Sequence, residues 1–345
     1  MIKNIFAFIL SLLFVGCVSS PEIKVDDQNK GGNDSINPFD TLTTDRGYYP
    51  SSSELSLDEL CELAGKNLVE KNYAYAKHYL QMASEIDSID VRVLDMSGVL
   101  LLMTNRSQSA DRIWKKCVGK YPNELECRIH LAELQLTLAR NREALKLANQ
   151  LIKIDKNRPE GFFLKGMALR ALNNDTTQAI PYFQQAVDLK NDYVEALDML
   201  GYIFAQRKDS LALAYYDNIL KLDPSRSDIY FKKGVFYMDQ QDWNKAMASY
   251  ETAIKMNPKD ADSHYNLGYV LTELKLYDKA RVQFARAIEA APRNYKAHYG
   301  RAYTAEMLGD VTNAMADYKE VLGMRPNHTP SKKGLLRINK LMKAK

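Results

Sequence analysis

Residues 227–260 read SDIYFKKGVFYMDQQDWNKAMASYETAIKMNPKD, and this stretch decides the fold. Taken as two helices, it puts Tyr230, Gly234 and Tyr237 on one face of the first. Ala246, Tyr250 and Ala253 then share one face of the second. Spacings of three, four and seven are those of an amphipathic helix. Gln241-Asp242 makes the turn. Pro258 ends the second helix, because proline lacks an N–H and clashes with the preceding turn. Gly234 and Ala246 are small where the helices must approach, with tyrosines filling the space beside them. The product is a helical hairpin that buries one stripe and leaves another in need of a neighbour.

A shift of 34 residues brings the pattern back. Residues 261–294 carry His264, Leu267, Gly268, Leu271, Ala280, Phe284, Ala287 and Pro292 at matching places. Residues 295–328 carry His298, Ala302, Ala305, Ala314, Tyr318, Val321 and Pro326, and residues 91–124 carry Leu94, Gly98, Leu101, Ala110, Trp114, Cys117 and Pro122. This periodicity resembles the tetratricopeptide repeat, whose signature is of the W-x2-LG-x2-Y…A-x3-F…P type. The resemblance covers about four-fifths of the chain. It implies an all-α solenoid, a right-handed superhelix of eight helix-turn-helix repeats at 57–90, 91–124, 125–158, 159–193, 194–226, 227–260, 261–294 and 295–328. Residues 329–345 follow as a capping helix, with Leu335, Leu336, Ile338 and Leu341 inward and Lys332, Lys333, Arg337, Lys340, Lys343 and Lys345 outward. A basic stripe is usually just solvated; a membrane or an acidic partner is its functional alternative.

Two repeats slip. The fourth has one residue too many between Gly166 and Ala179, and the fifth one too few between Gly201 and Ala212. A local change of pitch, or a hinge, is expected there. Pro181 is expected to weaken the first turns of its helix, since it donates no backbone hydrogen bond.

Ahead of the repeats, residues 1–16 read as a lipoprotein signal: Lys3, then the apolar run IFAFILSLLFV at 5–15, too short to span a bilayer. Phe14-Val15-Gly16-Cys17 resembles the lipobox of bacterial lipoproteins, which implies cleavage before Cys17 and acylation of its thiol. Residues 17–56 read as a flexible tether of about 35 Å r.m.s. span, from ~5–6 Å × √n. Val18 after the cysteine resembles an outer-membrane address. The expected place is therefore the bacterial cell envelope, lipid-anchored.

Composition is that of an ordinary globular chain, with 26% charged and 46% apolar residues. A net charge of +4 is too small to argue for nucleic acid, and no nucleic-acid-binding motif is present. No HExxH, GxSxG, CxxC pair, phosphate-binding glycine loop or Ser-x-x-Lys occurs, so no enzyme activity, cofactor or metal is expected. His264 and His298 read as packing residues one repeat apart. Export makes a Cys117–Cys127 disulfide permissible; the reading favours two buried free thiols, because cysteine often serves as a small apolar core residue.

In the family it resembles, the first helix of each repeat lines the concave side. Carried over residue by residue, those positions give Phe163, Met167, Asp198, Tyr202, Phe231, Val235, Tyr265, Tyr269, Tyr299 and Tyr303, with Met238 and Met307 nearby. Glu160, Glu195, Asp228 and Asp262 form an acidic edge that ends in Lys296. Tyrosine buries much area at low entropic cost and keeps a hydroxyl, so the surface suits an extended, partly basic polypeptide. Lys and Asn that would clamp a C-terminal carboxylate in some family members are replaced here by Tyr and Phe. The expected role is a protein-interaction scaffold at the envelope; glycan or peptidoglycan binding and self-association are the alternatives.

Overall fold

The computed structural model describes residues 55–173 and 176–343. Cys17, the signal stretch and the tether up to residue 54 lie outside the described residues. Among the described residues every regular element is an α-helix. The chain divides into two compact units, Met1–Asn191 and Asp192–Lys345. In sequence, the division falls between the repeat with a residue too many and the one with a residue too few.

The amino-terminal unit contains α1 (Leu57–Val69), α2 (Tyr73–Ile86), α3 (Val91–Met103), α4 (Ser107–Lys120), α5 (Glu126–Thr137), α6 (Asn141–Ile154), α7 (Pro159–Asn173) and α8 (Ile180–Leu189). The carboxyl-terminal unit contains α9 (Val194–Gln206), α10 (Leu211–Leu222), α11 (Ser227–Asp239), α12 (Trp243–Met256), α13 (Ala261–Glu273), α14 (Tyr277–Ala290), α15 (Tyr295–Met307), α16 (Val311–Met324) and α17 (Thr329–Lys343).

Local chemistry sets the helix ends. Ser56 and Glu59 form a capping box on α1. Asp90, Asp260 and Asn294 accept main-chain N–H bonds at the starts of α3, α13 and α15, and Asp242 and Asp310 do so for α12 and α16. Seven first helices close with a residue in the left-handed region: Lys71, Asn105, Ala139, Lys208, Gln241, Lys275 and Gly309, with φ between 55° and 77°. The next N–H then reaches back across the turn, as Asp242 does to Tyr237 O at 2.9 Å and Asp310 to Ala305 O at 2.9 Å. The fourth repeat differs. There α7 runs on to Asn173.

The following helix, α8, is only ten residues long. It begins one residue after Ala179, whereas α12, α14 and α16 begin three residues before the equivalent alanine. Pro181 is its second residue, a place where no intrahelical N–H bond is due. Ahead of α8, the Ala179 and Ile180 N–H groups reach Thr176 O at 3.1 and 3.3 Å in a hydrogen-bonded turn outside the regular helix.

Alanine marks every hairpin crossing. Ala76, Ala110, Ala144, Ala179, Ala212, Ala246, Ala280 and Ala314 are all fully buried. In five of the hairpins a glycine of the first helix meets a ring of the second. A Cβ built on Gly98 would lie 2.4 Å from Trp114, and one on Gly234 2.7 Å from Tyr250. Neighbouring repeats add a second glycine: Phe284 is flanked by Gly268 and Gly300, with virtual Cβ distances of 2.8 and 2.5 Å. Rings of this size, fully buried, each contribute about 1.5–3 kcal/mol.

Cys117 on α4 and Cys127 on α5 are joined by a disulfide. This corrects the reading of two free thiols. The half-turn position of Cys127 at the head of α5 brings its Cα within 6.3 Å of Cys117, inside bridging range. Cys61 remains a free, buried thiol.

Beside the bridge lies a polar cluster. The Trp114 indole N–H donates to Asp95 Oδ1 at 3.0 Å, and His130 Nδ1 lies 2.6 Å from the same oxygen. In the other unit Lys232 Nζ sits 2.7 Å from both oxygens of Asp198, at the equivalent pair of places.

The inward face of α17 is narrower than the sequence suggests. Ser331, Gly334 and Ile338 are buried and Leu335 packs partly, but Leu336 and Leu341 are exposed. The buried set follows the i, i+3, i+7 line, and Leu336 lies off it.

Candidate functional site

On each first helix, the fifth and ninth places of the repeat are four residues apart and share a face. The structure gives the two places different work. Fifth-place rings lean on the buried ring of their own hairpin: Phe163 on Phe183 at 5.6 Å, Phe231 on Tyr250 at 5.7 Å, Tyr265 on Phe284 at 6.0 Å and Tyr299 on Tyr318 at 5.9 Å between centroids. These are tilted or edge-to-face pairs, the arrangement the ring quadrupoles favour.

Burial separates the candidates further. Phe163 and Met167, in the amino-terminal unit, are 1% and 5% exposed and serve as core. Asp198 is buried against Lys232. These three therefore offer packing and an ion pair rather than a surface. In the carboxyl-terminal unit, Phe231, Tyr265 and Tyr299 are half-buried, as are Tyr202 and Tyr303, and Tyr269 is 40% exposed. Met238 is half-buried, its sulfur 3.9 Å from the Tyr250 hydroxyl. Trp243, from the head of α12, stands edge-on to Tyr269 at 6.4 Å. Tyr299 also contacts His328 at 5.1 Å.

Burial pushes the phenols of Tyr265, Tyr269 and Tyr299 upward from their ordinary value. They stay protonated at neutral pH and offer both a donor and an acceptor.

The acidic edge is less uniform than the residue types imply. Arg226 forks onto Asp228 at 2.7 and 2.8 Å. Partial burial opposes ionisation of Asp228, but this fork outweighs it and holds the carboxyl below its usual range. Glu160 lies 3.3 Å from Arg158. Asp262 is different: desolvation and neighbouring Asp260 raise its carboxyl, against the pull of Lys296. Among the described residues, Glu195 and Asp262 have no salt-bridge partner within 4 Å.

His264 and His298 are buried, and each places Nε2 near the carbonyl of the proline before its helix, Pro258 at 3.1 Å and Pro292 at 3.0 Å. Arg128 does the same to Pro122 O at 2.7 Å. These side chains tie one hairpin to the next. Among the described residues no group of three or more His, Cys, Asp and Glu is placed to hold a metal ion.

Sequence reasoning missed the polar links between neighbouring first helices. Tyr318 donates to Glu306 at 2.6 Å, and Arg337 grips the same carboxylate at 2.6 and 2.8 Å, tying α15, α16 and α17. A signal existed: Asp58 and Arg92, like Asp198 and Lys232, are opposite charges one repeat length apart.

Comparison with known proteins agrees with this geometry. Residues 159–193 and 277–329 match family profiles described as tetratricopeptide repeat, and residues 234–275 match one described as TPR repeat. The chain is similar to the C-terminal part of a TPR repeat-containing protein from Cytophaga hutchinsonii. Identity is 19%, over 71% of this chain and 99% of that one, with a TM-score of 0.58. It is also similar to a chain of the APC/C hetero-tetramer Cut9-Hcn1, at 19% identity over 81% of this chain and 55% of that one, TM-score 0.52. Comparison with curated proteins returns no match.

Proposed function

The chain belongs to the tetratricopeptide-repeat family, and from that premise we propose that it is a lipid-anchored scaffold of the bacterial envelope, binding a polypeptide along the carboxyl-terminal unit. Proteins built of such repeats generally bind other proteins and are generally not enzymes. The observation that carries the reading is the ninth-place set Tyr202, Tyr269 and Tyr303. Tyr269 is 40% exposed and Tyr202 and Tyr303 are half-buried, whereas the equally half-buried fifth-place rings Tyr265 and Tyr299 lean on Phe284 and Tyr318 of their own hairpins. Partly exposed tyrosines suit an extended segment that supplies apolar side chains and main-chain polar groups. Unpaired Glu195 and Asp262 favour basic residues in it.

Two features support the location. One is the lipobox-like Phe14-Val15-Gly16-Cys17, and the other is the Cys117–Cys127 disulfide, a bond that persists in oxidising compartments.

Crosslinking in the native envelope followed by partner identification tests the groove. Tyr202→Ala, Tyr269→Ala and Tyr303→Ala together should lower capture of the partner roughly tenfold or more, with helix content unchanged. Equal capture would remove the groove from the mechanism, and sedimentation with purified cell wall would favour glycan binding instead. For the anchor, Cys17→Ser should move the product out of the membrane fraction.

A further inference from the structure

Two second helices of the amino-terminal unit, α4 and α6 of successive repeats, carry seven Lys and Arg against two acidic residues. The four second helices of the other unit, α10, α12, α14 and α16, carry seven against six, so the excess is not a habit of the repeat. On α6, Arg142, Lys146 and Lys153 fall within an arc of about 40° at 3.6 residues per turn. On α4, Arg112, Lys116 and Lys120 fall within about 80°. The two rows are in register: Arg112 and Lys146 are 34 residues apart, the same place in successive repeats.

Both rows are turned away from the core. Ala110, Trp114 and Cys117 on α4 and Ala144, Ala148 and Leu151 on α6 are fully buried, whereas all six cations are exposed. Lys115 is satisfied by Asp111 at 2.7 Å. Among the described residues, none of the six has a salt-bridge partner within 4 Å. Glu143, beside the α6 row, is the one exposed acidic residue on these two helices, and polar Asn149 and Gln150 fill the gap between Lys146 and Lys153.

We propose that the paired rows are a docking surface for anionic phospholipid headgroups, holding the outer face of α4 and α6 against the bilayer that carries the anchor. The inference rests on the anchor reading given above and not on what the tyrosine groove binds. The tether enters the fold at α1 of this same unit, so headgroup phosphates are the polyanion within its span of about 35 Å. Each Lys or Arg near such a surface is worth about fivefold in affinity. The contact is electrostatic, and no side chain has to enter the hydrocarbon.

Amine footprinting of the lipidated chain, on vesicles of phosphatidylcholine alone or with about one-third phosphatidylglycerol, tests it. Acylation of Lys116, Lys146 and Lys153 should slow about fivefold or more on the anionic vesicles relative to the neutral ones. Exposed Lys221, Lys255 and Lys259 of the other unit should react alike on both. In about 1 M salt, where the screening length is about 3 Å, the difference should vanish. Arg112→Glu with Arg142→Glu leaves the three reporter lysines in place and should abolish the slowing. Lys221→Glu with Lys255→Glu, an equal change in net charge, should leave it intact. Equal reactivity on the two kinds of vesicle, slowing that survives the salt, or equal loss in both double variants would each overturn the proposal. Equal reactivity together with crosslinking of Lys146 to an acidic envelope protein would give the surface to that protein instead. Flotation with neutral vesicles reports the anchor alone, so a failure of the anchor is read separately.

Discussion

Asp95 and His130 meet at 2.6 Å inside the amino-terminal unit, with the imidazole buried and the Trp114 ring 5.3 Å away. Burial alone would lower the imidazole's proton affinity. Asp95 on α3 reverses this, with smaller help from Glu133 and Glu126 on α5, and the group is pushed up to about 9. His130 is therefore a cation at neutral pH, and it stands where Lys232 stands toward Asp198.

That pair makes stability depend on pH in a defined direction. A folded value near 9 against 6.5 unfolded corresponds to roughly 3 kcal/mol. The contribution is full below about pH 6.5, falls away as pH rises, and is gone above about 9. Urea unfolding of wild type and His130→Asn, at several pH values, should show their largest gap in acid and a narrow one above pH 9. A gap that widened with pH would refute the charge assignment.

Left-handed residues offer a test of opposite signs. Ala139 at φ 55° has a Cβ where glycine would be unstrained, so Ala139→Gly should stabilise by about 0.5–1 kcal/mol. Gly309→Ala, at φ 77°, should destabilise by about 1 kcal/mol. Calorimetric melting of both variants decides it.

Helical glycines supply another such pair. Gly98→Ala drives a methyl to 2.4 Å from Trp114 and should cost about 1–3 kcal/mol. Nothing lies within 4 Å of a Cβ on Gly119, so Gly119→Ala should instead stabilise by up to about 1 kcal/mol. Similar shifts for the two would mean that the ring yields freely.

Peptide mapping without reductant should recover the Cys117–Cys127 crosslink. Replacing both cysteines with alanine should cost about 2–3 kcal/mol by freeing a ten-residue loop in the unfolded chain. The loss should appear as faster hydrogen exchange in α4 and α5. Unchanged exchange there would mean the bridge adds nothing.

The repeat was legible because its markers are steric and local. Ala246 and Gly234 must be small wherever two helices cross, and Pro258 must end a helix whatever surrounds it. The candidate surface was less legible. Tyr265 and Tyr269 differ little in sequence context, yet one leans on Phe284 and the other stands beside Trp243. Which of two neighbouring rings is consumed by the core depends on the partner hairpin's side chain. Cys117 and Cys127 illustrate the same limit, since small buried thiols and a bridge look alike until the distance between α4 and α5 is known. Leu336 and Leu341 were assigned inward because leucine usually is. On α17 the residues buried against the preceding hairpin are Ser331, Gly334 and Ile338, with Leu335 packing partly.

Phe284 fits between Gly268 of its own hairpin and Gly300 of the next, and Gly334 presents the same notch to Tyr318 one repeat later. Gly300 and Gly334 occupy identical places 34 residues apart, so the two junctions are interchangeable in shape. Excising residues 295–328 would bring Gly334 opposite Phe284 and leave the seam matched, forfeiting the Arg337–Glu306 link. This end of the protein is built as a detachable cassette, open to shortening or duplication by whole units without redesign of the joint.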